Sequence, residues 1–170
     1  MNRLALALFL LSLPLFAQDS KQDDMKDCPM HASHQAVVQS HGDQAMGFAH
    51  DKTTHHFRML SDGGSIEVTA NDPDDKTNMT AIRSHLKHIA RMFSNGDFST
   101  PMFIHDGVPP GVTTMKLMNS AIHYSYEEIR SGGRVRVKAD DPVAVAAIHD
   151  FLRFQIREHQ TGDSLEVATR

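Results

Sequence analysis

Tryptophan is absent from the 170 residues, tyrosine occurs twice and cysteine once. A single thiol excludes an intramolecular disulfide and leaves Cys28 as either a spare thiol or a ligand. Charge of either sign is not in large excess: 17 Lys and Arg against 21 Asp and Glu leave a formal net charge of −4. That balance offers no basic surface for nucleic acid. After the first residues no apolar run is long enough to cross a bilayer, so no stable membrane insertion is expected. No nucleophile elbow, phosphate loop, His-Glu-x-x-His helix or Cys-x-x-Cys pair is present. Those absences leave enzymatic activity undecided and favour a binding protein. In contrast, histidine reaches 12 and methionine 10, a skew toward imidazole and thioether.

Residues 1–17 read as a secretory signal peptide: Arg3, an apolar run to Leu13, a break at Pro14 and small Ala17 before a polar stretch. The protein is therefore expected to be periplasmic or secreted. Residues 18–52 lack a sustained apolar period and read as a flexible arm rich in His and Met. Residues 53–163 read as one domain, and 164–170 as a frayed tail.

The domain carries an internal repeat, with units at about 54–97 and 123–163 and a connector at 98–122. Gly63-Gly64, Ile66, Val68 and Asn71-Asp72-Pro73 return as Gly132-Gly133, Val135, Val137 and Asp140-Asp141-Pro142. Ala81-Ile82 and Leu86 return as Ala147-Ile148 and Leu152. In each unit two alternating apolar segments flank a Gly-Gly turn, which predicts a β-hairpin. Helical spacing follows, through Ile82, Leu86, Ile89 and Phe93 in the first unit and Ile148, Leu152 and Ile156 in the second. Asn78 is the expected cap of the first helix, and Asp141 with Pro142 caps the second. The fold class is α+β: duplicated ββα units forming a four-stranded antiparallel sheet with two helices on one face. This ββαββα order is a circular permutation of the ferredoxin-like plan, and its duplicated arrangement is similar to that of the SOUL haem-binding family. The Arg134, Arg136 and Lys138 stripe marks an open sheet face suited to a homodimer.

Several histidines and soft donors are placed to bind a metal. Cys28, Met30, His31 and His34 bring a thiolate, a thioether and two imidazoles within seven residues, a set that suits copper, with zinc as the alternative. Cys28-Pro29-Met30-His31 resembles the short heavy-metal-binding domain attached to copper-transporting P-type ATPases and efflux components, which implies that Cys28, Met30 and His31 are ligands. His55 and His56 are adjacent on a predicted strand, so their rings point to opposite faces, His55 toward the helices. His85, His88 and Met92 form a stripe at helical spacing where the second unit has Phe151, Phe154 and Glu158. His105, next to Asp106 in the connector, adds a further imidazole.

These features predict a metal-binding protein of copper or another soft transition metal, in metal handling or resistance. The alternative is a small-molecule or haem-type binding module in the groove between the helices, touched by His85, His88 or His105. A weaker third expectation is a metal enzyme using His55, His85 and His105.

Overall fold

The computed structural model describes residues 29–168, with side chains from residue 33 onward. The repeat folds as two β-hairpins, each followed by a helix. Strands β1 (Thr53–Leu60) and β2 (Gly63–Ala70) form the first hairpin, and β3 (Ile122–Ile129) and β4 (Gly132–Ala139) the second. The sheet order is β1-β2-β4-β3, antiparallel throughout. The two copies thus meet through their second strands, with Ile66 opposite Val135. Glycine is required where they meet: a Cβ at Gly132 would lie 1.9 Å from the Val68 carbonyl oxygen.

Helices α2 (Lys76–Ser94) and α5 (Pro142–Glu158) pack on the same face of the sheet. Their apolar stripes, including Ile82, Leu86, Ile89 and Phe93 on α2 and Ile148, Leu152 and Ile156 on α5, are buried against Phe57, Val68, Val135 and Val137. Asp141 caps α5 as expected, accepting from the Val143 and Ala144 N–H groups. Asp141→Ala should cost about 1 kcal/mol, read as a lowered denaturation midpoint. The cap of α2 is Asp75, not Asn78. Asn78 lies within the first turn, where its N–H donates to Asp75 Oδ1 at 2.9 Å.

Two further regions are more ordered than their sequence suggests. The connector contains α3 (Ser99–Ile104) and α4 (Val112–Leu117), both with side chains in the core. Within the stretch read as an arm, Pro29–Met46 forms helix α1. It has no apolar stripe to reveal it; Val38 is its one fully buried large side chain among the described residues, and it lies across α3 and α2.

The open face of the sheet is paired within itself. Arg134 bridges Glu67 (2.7 Å) and Glu127 (3.2 Å), and Arg136 pairs with Asp62. After α5 the chain turns back along edge strand β1: Asp163 accepts from the Phe57 N–H at 2.9 Å, and the Ala168 N–H donates to the Met59 carbonyl at 2.9 Å. Among the described residues no helix is long and apolar enough to cross a membrane.

Candidate functional site

Histidines converge between the sheet and its two helices. A cavity of about 70 Å³ lies between β1, β2, α2, α3 and α5, with α1 contributing Met46. Its wall is mostly apolar, including Ile66, Val68, Ile89 and Phe93, and into it come His55 from β1, His85 from α2, and Gln155 and His159 from the end of α5. The alternation of β1 turns His55 toward the helices, as expected. The 3.6-residue period of α2 brings His85 alongside Leu86 and Ile89 on the buried side.

Burial sets the chemistry of these rings. Desolvation holds the His55 pKa down at about 4, with the neighbouring His85, His56 and His50 adding to the effect. His85 is likewise at about 4, through burial and then His88. His159 falls to about 3, through burial and then His55 and His105. All three are therefore neutral at pH 7, each with one ring nitrogen able to offer a lone pair. Aromatic contacts hold the rings: Phe48 meets His85 edge-on at 5.7 Å, and His55 and His159 are stacked with centroids 6.0 Å apart and planes 7° from parallel.

Gln155, 4 % exposed, joins this group to a second one. Its Oε1 accepts from His159 Nε2 at 3.1 Å and from His105 Nε2 at 3.2 Å. His105 follows α3 and is itself buried, which pushes its pKa down, although Gln155 and Glu158 act in the opposite sense. Its Nδ1 and the Gln155 Nε2 are buried with no hydrogen-bond partner. Glu158 Oε2 lies 3.8 Å from His105 Nδ1 and accepts from His34 Nε2 of α1 at 2.6 Å.

No family model, curated protein or solved structure matches this chain.

The histidines expected from the sequence fall into separate places. His55 and His85 share the cavity, and His105 stands behind it through Gln155. His56 is on the other side of the sheet, bonded to Asp163 at 2.8 Å. His88 lies on an exposed part of α2 beside Arg91, Met92 and Asp97. His34 sits outside the cavity on α1, at Glu158. Cys28, and the side chains of Met30 and His31, lie outside the described residues. Among the described residues, no three His, Cys, Asp or Glu groups stand close enough together to hold a metal ion as they are.

The residues that sequence reasoning missed are Met46, Gln155, Glu158 and His159. A signal for two of them was present in the repeat. Gln155 and His159 occupy the positions of Ile89 and Phe93 in the first copy, and polar side chains at core positions are unusual unless they are satisfied or used.

Proposed function

We propose that the protein binds a soft monovalent metal ion, Cu(I), in the histidine cavity, and that it handles copper outside the cytoplasm. The supporting observation is the donor set: Met46, His55, His85 and His159 line one cavity and none is anionic. Thioether and imidazole are donors that Cu(I) accepts. Burying an ion among uncharged donors costs far less for a single charge than for two, because solvation energy grows with the square of the charge. A cavity of about 70 Å³ has room for an ion and a water, whose share of liquid volume is about 30 Å³. Cys28, Met30 and His31 would precede this site as first captors, in line with their resemblance to copper-transport motifs.

The test is competition for Cu(I) against a chromophoric chelator, with the mature chain carrying Cys28→Ser so that the thiolate is removed. One Cu(I) per chain is expected, with affinity reduced roughly 100-fold in the double variant His55→Phe, His85→Phe. That is the upper end of what losing even a supporting residue costs. Unchanged affinity in that variant would overturn the proposal.

A second reading has its own support. A vestibule of about 210 Å³ adjoins the cavity and shares Met46, His55 and His159 with it. If α1 moved outward the two would merge and approach the size of an ordinary small-molecule pocket, about 300 Å³ or more. The Gln155 Nε2 donor would then meet an acceptor atom of the ligand. A chromophore or organic ligand co-purifying with the chain, and lost in Gln155→Leu, would favour this reading over the ion.

A further inference from the structure

The contacts that hold α1 against α5 are unusual in one respect. Gln155 Oε1 can only accept, so His105 must donate to it from Nε2. With the ring neutral in its buried setting, Nδ1 then carries a lone pair, and it has no partner. That lone pair faces the Glu158 carboxylate across 3.8 Å, with the His105 side chain 2 % exposed. Two acceptors facing each other, one of them on a ring withdrawn from solvent, repel unless something positive lies between them. His34 Nε2 stands at the same carboxylate oxygen, 2.6 Å away.

We propose that His34, His105 and Glu158 form a divalent-cation site, of the type that Zn²⁺ occupies, joining α1 to the end of α3 and to α5. Two imidazoles and a carboxylate are a recognised three-ligand set for Zn²⁺, with a fourth position left to water. Ligand atoms on one tetrahedral Zn²⁺ lie about 3.3–3.5 Å apart, given metal–ligand bonds of about 2.0–2.2 Å. The observed 2.6 and 3.8 Å spacings straddle that value, so to share one ion His34 would draw back from the carboxylate and His105 would move toward it. Gln155 supplies the outer hydrogen bond that fixes the tautomer of a ligating histidine. The ion has a way in, since the His34 and Glu158 side chains are 45 % and 23 % exposed.

This site differs from the histidine cavity in charge, and it does not rest on Cu(I) being bound there. One carboxylate half-neutralises a divalent ion, whereas the cavity donors are all neutral. Occupancy would tie α1 down over the vestibule.

The experiment measures Zn²⁺ affinity by chelator competition, again with the mature Cys28→Ser chain. The parent should bind one Zn²⁺, and Glu158→Gln or His105→Asn should weaken it by 100-fold or more. His34→Gln, at an exposed position, should give the same loss with an unaltered circular dichroism spectrum. Gln155→Ala should cost 10- to 100-fold as an outer partner. Cu(I) affinity should stay within threefold of the parent in Glu158→Gln. A parent that binds no Zn²⁺, or a Zn²⁺ affinity unchanged in both Glu158→Gln and His105→Asn, would overturn the proposal. Loss of Cu(I) binding with Zn²⁺ binding intact would count against the cavity reading alone.

Discussion

Acidification from pH 7 to about pH 4.5 should destabilise the folded chain severely, chiefly through three histidines held neutral between the sheet and its helices. His55, His85 and His159 have folded pKa values of about 4, 4 and 3 against about 6.5 in an unfolded chain. A base whose folded pKa is depressed binds more protons when unfolded. The stabilisation from its neutral state is complete above pH 6.5 and drains away as the pH falls from there toward the folded value. For one isolated ring the loss by pH 4 is on the order of 3 kcal/mol. Three neighbouring rings do not sum fully, yet even two approach the whole stability of an ordinary domain, about 5–15 kcal/mol. Asp62, Asp97 and Asp163 have pKa values below the usual carboxylate range, so their contribution is lost at lower pH still. Urea midpoints at pH 7, 6, 5 and 4.5 would show the fall, and His55→Phe with His85→Phe should flatten it. A midpoint that holds steady from pH 7 to 5 would show that the rings are not buried as neutral groups.

Phe93→Ala should be the most damaging single truncation in the core. Phe93 is 2 % exposed, stacks on Phe98 at 4.4 Å, and meets Tyr124 and Phe151 edge-on at 5.9 and 6.0 Å. Phenylalanine-to-alanine changes in cores cost about 3–5 kcal/mol, more when the site cannot collapse. Phe93 also lines the histidine cavity, so the new space would join an existing void instead of being closed by one side chain. The upper part of that range is expected, read as a fall in Tm of roughly 10–20 °C for a chain of this size. A fall below about 5 °C would show that the wall around the cavity is soft enough to refill it.

The sheet and its two covering helices were legible because the chain states them twice. Gly63-Gly64 and Gly132-Gly133, the alternation of Ile66 with Val68 and Val135 with Val137, and the stripes through Leu86 and Leu152 each carry local periods that a single strand or helix imposes. α1 was not legible because helical order there depends on docking and not on a stripe: Val38 and Met46 are too few to set a period. α3 and α4 are too short to show one. Half of the site was readable, in His55, His85 and His105, because those histidines stand out by type. His159 and Gln155 were hidden by being read as the plain end of an amphipathic helix. Their positions relative to Ile89 and Phe93 mark them only once the two copies are laid over each other. The cavity itself draws on both copies, with His55 and His85 from the first and Gln155 and His159 from the second.

The return of the chain along β1 has a consequence for self-association. An edge strand presents a row of unpaired backbone groups to any other extended chain. On β1, Asp163 and Ala168 already engage the Phe57 N–H and the Met59 carbonyl. The opposite edge, β3, keeps exposed Glu127 and Glu128, and charge of that kind discourages strand addition. The two rims of the sheet are thus guarded by different means, one by chain and one by charge. Removing the residues after Gly162 would leave the helices in place while opening the β1 rim to sticky, sheet-extending contacts between molecules.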